Sequence, residues 1–221
     1  MTRISALLLL ASLSPASAQD QVPANHMTLG QGSQGSVARL VLAHHLFAFG
    51  KTQKDPLTVL NAARLAASVV LIETRRPHEV TGEAAKIGQV KVTTPAAMFD
   101  TASLLAVGDD PLLDLIETVR GEARFAPTAD AVSTTSSLAA AQTETWPIAF
   151  FGASLAEIAI LGEAASALDL RVTDQSGNLV CQDTGPEVAN YCSFYPAENG
   201  TFLVTVLNAG SATGTYLLLS N

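Results

Sequence analysis

The hydrophobic pattern changes its period part-way along the chain, and this change constrains the fold more than any other feature. From Trp146 onward the segments AEIAILGE, LDLRVTD, NLVCQD, YCSFYP, TFLVTVLN and TYLLLSN are short and separated by turn-forming residues. In LDLRVTD, Leu168, Leu170 and Val172 alternate with Asp169, Arg171 and Thr173. Successive side chains of a strand point to opposite faces, so the two sets part. The tight connection Asp174-Gln175-Ser176-Gly177-Asn178 then leads into the next strand. Short strands at this spacing predict a β-sandwich or jelly roll over residues 146–221.

Upstream, the apolar spacing is three and four. In SVARLVLAHHLFAFG, Val37, Leu40, Val41, Leu42, Leu46, Phe47 and Phe49 follow a helical period, and Gly50 stands where the helix is expected to stop. The segment KTQKDPLTVLNAARLAASVVLIETRRP supplies Asp55 as N-cap and Pro56 as first helical residue, completing a helical hairpin. A second pair follows: AAMFDTASLLAVG, then DDPLLDLIETVRGEA with Asp110 as cap and Pro111 opening the helix. Aligning Asp55-Pro56-Leu57 with Asp110-Pro111-Leu112 sets Leu60 opposite Leu115. Two copies fall short of a solenoid, and independent use of one good helix start explains the match equally well.

Between the pairs, HEVTGEAAKIGQVKVTTP reads as a loop or short hairpin and is the expected functional segment of this half. Residues 126–145, APTADAVSTTSSLAAAQTET, are small, polar and without sustained period. They read as a protease-accessible linker. The expected fold class is therefore α+β: an α-helical domain at 19–125, the linker, and an antiparallel β-domain at 146–221.

The opening MTRISALLLLASLSPASAQD has one positive charge at Arg3, an apolar run from Ile4 to Leu13 and the small-residue pattern Ala16-Ser17-Ala18. That is the form of a secretory signal peptide at 1–18, with the mature chain starting at Gln19. No cysteine follows the pattern to carry a lipid. No later stretch offers the roughly 20 apolar residues of a transmembrane helix. The expected location is periplasmic or secreted. The formal charge of −8 becomes one unit more negative when Arg3 leaves with the leader. An acidic protein repels phosphate backbones, which excludes nucleic acid as partner.

The chain has two cysteines, Cys181 and Cys192, on either side of the turn-rich excursion DTGPEVAN. In an oxidising compartment two such thiols pair, and closing the loop is worth roughly 3 kcal/mol. A zinc site would require more Cys or His ligands than this region has. Asp169, Asp174, Asp183 and Glu187 could offer carboxylate oxygens to calcium, which takes six to eight oxygen ligands in irregular geometry. Solvated turn carboxylates are the plainer reading of the same four residues.

Other candidates carry simpler explanations. His44 and His45 are adjacent, so on a helix they diverge by about 100° and cannot grip one ion from one face. His78 follows Arg75-Arg76-Pro77 at an expected helix end, where a positive side chain suits the unpaired carbonyls. Gly152-Ala153-Ser154 lacks the second glycine of a nucleophile elbow. GQGSQGS at 30–36 is not preceded by a strand, which weakens a nucleotide reading. Asn199-Gly200-Thr201 fits a glycosylation acceptor and equally an Asn-Gly turn.

Three signals in order resemble a known family: the strand–turn LDLRVTDQSGNLV, the approach and strand YPAENGTFLVTVLN, and the closing strand GTYLLLSN. Over Ala156 to Asn221 the chain resembles the bacterial pre-peptidase C-terminal domains, small β-sandwiches of secreted proteins. The resemblance implies that fold and an accessory or binding role, often beside a peptidase. No peptidase domain is recognisable upstream, so a peptidase activity does not carry over.

Two function classes remain. One is a non-catalytic secreted or periplasmic binding protein with a protein or cell-envelope partner and no cofactor. The other is a hydrolase whose catalytic residues are dispersed and assembled only by the fold. The lack of any local catalytic motif favours the first. A helical cleft lined by histidine and carboxylates would favour the second.

Overall fold

The computed structural model describes residues 24–27, 35–82, 85, 86, 88, 92–123, 127–162, 167–185 and 189–221. The expected signal peptide, Gln19 and Glu187 lie outside the described residues. No described helix is long and apolar enough to cross a membrane.

Helix α1 spans Ser36–Gln53 and α2 spans Pro56–Ala67. The expected stop at Gly50 is corrected: α1 runs three residues further and ends at Lys54, which adopts the left-handed conformation at φ 54°. Gly50 serves the hairpin differently. A Cβ there would lie 2.8 Å from Val59 Cγ2 and 3.0 Å from Val59 N, so the missing side chain lets α2 approach. Asp55 caps α2 as expected, accepting the Leu57 N–H at 3.0 Å. Helix α3, Pro95–Leu105, is capped by Thr94, whose hydroxyl accepts the Ala97 N–H at 3.2 Å. Helix α4 spans Asp110–Ala123, and its cap shifts by one from the expected Asp110: Asp109 accepts the Leu112 N–H at 3.1 Å. Phe47, Val59, Leu60, Met98, Phe99 and Ile116 pack the helices together.

The helix end expected at Arg75-Arg76-Pro77 is corrected: α2 ends at Ala67. Val69, Val70 and Ile72 are stiff at χ1 and favour the pleated surface. They form β1, Val69–Glu73, followed by β2, Glu79–Val80. His78 therefore does not sit at a helix end.

The remaining strands are β3 (Ala129–Leu138), β4 (Thr143–Phe150), β5 (Ala156–Gly162), β6 (Leu168–Thr173), β7 (Leu179–Asp183), β8 (Ala189–Phe194), β9 (Gly200–Asn208) and β10 (Gly214–Ser220). The expected linker at 126–145 is corrected, because it contains β3, a turn and the start of β4. Its polar residues enter the sheet because their hydroxyls find partners. Thr134 donates to the Thr74 carbonyl at 2.7 Å, and Ser137 lies 2.9 Å from the Thr215 hydroxyl.

Two five-stranded sheets result, in orders β1-β3-β10-β5-β8 and β2-β4-β9-β6-β7. β1 pairs with β3 in parallel, and the other strand pairs are antiparallel. Alternation fills the space between the sheets with Trp146, Ile148, Phe150, Leu170, Val172, Phe202, Tyr216 and Leu218. β5 is buried on both faces, Ile158 and Ile160 inward, Ala159 and Leu161 outward. The outward pair meets Val37, Leu40 and Val41 of α1, so the first helix covers the outer face of the first sheet.

Candidate functional site

The two sheets are joined differently along their two sides. At one side β7 faces β8, and Cys181 and Cys192 form a disulfide with Cα atoms 5.9 Å apart. At the other side β3 faces β4, and Thr74–His78 cross from β1 to β2 between the sheets' edges. The candidate site lies at that crossover.

In β4 the residues Glu144, Trp146, Ile148 and Phe150 share the inward parity and are all buried. One of these four is a carboxylate, 1% exposed. A buried charge costs several kcal/mol unless donors surround it. Three donors do. Ser136 Oγ donates to Glu144 Oε1 at 2.9 Å, His78 Nε2 lies 3.1 Å from the same oxygen, and the Tyr216 hydroxyl donates to Oε2. Ser136 and Tyr216 are register partners on β3 and β10, which brings both hydroxyls to one carboxylate. Burial, then the charge of Glu144, pushes the Tyr216 phenol far above its ordinary range, which keeps it a neutral donor. That phenol oxygen accepts in turn from Trp146 Nε1 at 3.1 Å. His78 stacks on Trp146 with centroids 4.3 Å apart, and its Nδ1 lies 3.3 Å from the Arg76 carbonyl. Both ring nitrogens of His78 thus face oxygen acceptors.

Beside this cluster runs an open groove of about 870 Å³, lined among others by Glu73, Arg75, Arg76, His78, Thr135 and Trp146. The volume suits a small ligand. Arg76 donates through one terminal nitrogen to Ser220 Oγ at 2.7 Å, while its Nη1 is buried without a hydrogen-bond partner. Burial lowers the pKa of this guanidinium.

The order of groups determines what the cluster can do. In nucleophilic catalysis an imidazole stands between hydroxyl and carboxylate, taking the proton from the one and being oriented by the other. Here the carboxylate stands between Ser136 and His78. Ser136 is buried and has no imidazole on its oxygen. The arrangement holds a histidine and a tryptophan in fixed orientation at the groove wall.

Of the four acidic residues considered for calcium, Glu187 lies outside the described residues, and the other three are placed apart. Asp169 and Asp183 lie at one end of the β6–β7 pair, and Asp174 follows the other end of β6. Five residues of strand span about 17 Å. Each carboxylate is engaged locally. Asp174 accepts the N–H groups of Asn25, Ser176 and Asn178, each at 2.9 Å; these bonds and the Asn178 side chain hold its pKa below the usual value despite partial burial. Asp183 accepts the Tyr191 N–H at 2.8 Å, and Asp169 accepts that of Gly185 at 3.2 Å. Among the described residues no group of three or more His, Cys, Asp or Glu is placed to hold a metal ion.

His44 is buried and His45 exposed, so the two part as their adjacency requires. Gly35, at the end of the glycine-rich stretch, precedes α1, but the N–H groups there bind the chain's own Glu157. In Gly152-Ala153-Ser154 the residue with positive φ is Ala153, at 57°, and Ser154 is exposed on the turn. Asn199 accepts the Gly152 N–H at 2.8 Å, bracing that turn. The helical half has a cleft of about 730 Å³ whose charged lining is Arg39, Arg64 and Glu122, with no histidine.

Sequence reasoning missed Glu144, Ser136 and Tyr216. One signal was present: Glu144 shares its parity with Trp146, Ile148 and Phe150.

The fold is α+β, with two packed five-stranded sheets drawn mostly from the C-terminal half. The chain matches no family model and no curated protein. Among solved structures, it is similar to the pre-peptidase C-terminal domain of a collagenase from Bacillus anthracis, with 16% identity, 41% of this chain and 76% of that chain covered, and a TM-score of 0.28. It is similar to PliG of Aeromonas hydrophila, a periplasmic inhibitor of g-type lysozyme, at 10% identity, 41% and 84% coverage and a TM-score of 0.33. A similar structure is the C-terminal carbohydrate-binding module of LamC from Zobellia galactanivorans, at 12% identity, 38% and 75% coverage and a TM-score of 0.25.

Proposed function

We propose that this is a secreted or periplasmic, non-catalytic binding protein whose groove beside Glu144 receives a ligand from the cell envelope or a protein partner. The observation that carries the reading is the placement of the Glu144 carboxylate between Ser136 and His78. That order gives the hydroxyl no imidazole base and leaves the cluster to orient the groove wall. The disulfide supports an oxidising compartment. The cleft of the helical half, lined by two arginines and one glutamate, supports the same side of the choice.

Two measurements on the full chain test the reading. Hydrogen exchange is compared with and without solubilised cell-envelope glycans and peptides. Protection is expected at residues 73–78 and 134–136. A fluorophosphonate serine probe is expected to leave Ser136 unlabelled. Labelling of Ser136, or turnover of ester or amide substrates that is lost in Ser136→Ala, would establish the hydrolase reading instead.

A further inference from the structure

We propose that the crossover groove is a carboxylate-binding site anchored by Arg76, an inference that rests on the groove being a ligand site. Three observations carry it. First, the groove gathers Arg75, Arg76 and His78 on one short segment, in a chain with 12 basic and 20 acidic residues. The two arginines of the lining exceed its one carboxylate, Glu73, by one charge. Second, Arg76 is already oriented: Ser220 holds one terminal nitrogen at 2.7 Å, while Nη1 is buried and unpartnered. A buried donor without a partner marks a place where an oxygen acceptor is gained at little ordering cost. Third, the wall beside it is aromatic, with His78 stacked on Trp146.

The chemistry selects a carboxylate over a phosphate. A guanidinium pairs well with either oxyanion. Glu73 borders the same groove, however, and repels a dianion more strongly than a single charge. A singly charged planar group matches the single excess positive charge.

Trp146 is the sole tryptophan, so intrinsic fluorescence reports on this wall. The full chain is titrated at constant ionic strength with sodium butyrate, neutral butyramide and inorganic phosphate. Butyrate is expected to change the emission saturably, and butyramide is not. Arg76→Gln should weaken butyrate by about tenfold or more, the loss of one charge-assisted hydrogen bond. Arg64→Gln, in the helical cleft, should leave it unchanged. If Arg76→Gln does not fold, exposed Arg75→Gln decides, with a severalfold weakening expected. No response to butyrate, equal response to butyramide, phosphate binding as tightly as butyrate, or equal weakening by Arg64→Gln overturns the inference. If butyrate fails while envelope material still protects residues 73–78, the carboxylate assignment falls and the binding-protein reading stands. Failure of both removes the two together.

Discussion

Glu157, on β5, accepts the backbone N–H of Val37, the second residue of α1, at 3.1 Å. The same carboxylate accepts from Gly35 N at 2.9 Å, from Ala38 N at 3.4 Å and from the Tyr191 hydroxyl at 2.7 Å. The sandwich thus supplies the acceptor that the start of α1 lacks, because no side chain of its own caps it. Negative charge at a helix N-terminus is also favoured by the helix dipole. Replacing Glu157 by Ala should lower stability by about 3 kcal/mol, since several buried donors lose a charged partner. Gly35→Ala should destabilise as well, because its Cβ would lie 2.1 Å from Glu157 Oε2. Urea unfolding measures both. A change within about 0.5 kcal/mol for Glu157→Ala would show that α1 docks without this cap.

Cys181→Ser should cost about 2 to 4 kcal/mol, as expected for a bridge closing a short loop. The helical circular dichroism should persist under native conditions, because neither cysteine lies in a helix. Thiol titration in denaturant without reductant should count no free thiol. Two free thiols in exported protein would contradict the bridge.

His44 gives a pH dependence with a definite sign. Burial, and after it the neighbouring charge of His45, lower its pKa from 6.5 to about 4. The unfolded chain therefore binds the proton first, and stability declines as pH falls from about 6.5 to about 4. The full effect is on the order of 3 kcal/mol. His44→Gln should flatten this part of the profile in denaturant titrations taken at several pH values. An unchanged slope in the variant would assign the pH dependence elsewhere.

Ser133–Gln142 should resist limited proteolysis despite its linker-like composition. β3 pairs with β10 over Val132–Leu138, β1 pairs with Ala129–Ser133, and the Thr134 hydroxyl continues to Thr74. Mass spectrometry of early fragments checks this. A first cut between Ser133 and Leu138 would mean that β3 leaves the sheet readily.

Where apolar spacing was strong, the fold was readable. Leu168, Leu170 and Val172 face the core as their alternation requires, and Cys181 and Cys192 meet. Reading failed where polar residues carry the structure. β3 contains Ser133, Thr134, Ser136 and Ser137, all buried, and hydropathy cannot distinguish a hydroxyl bonded across a sheet from one in water. β1 is not legible in the sequence because Val69–Ile72 is a short apolar run that follows a helix directly, a case where period alone does not decide. The groove required His78, Ser136, Glu144 and Tyr216, which are spread over 139 positions between the first and last and converge only in the folded chain.

The position of β10 has a consequence for the order in which the molecule can be assembled. β10 follows every other strand in the chain, yet it occupies the middle of the first sheet, between β3 and β5. Until it has been synthesised, β3 and β5 have no common neighbour, and Tyr216 cannot reach Glu144. Pairings this distant close slowly and late. A chain built this way cannot complete its first sheet until its tenth strand is available.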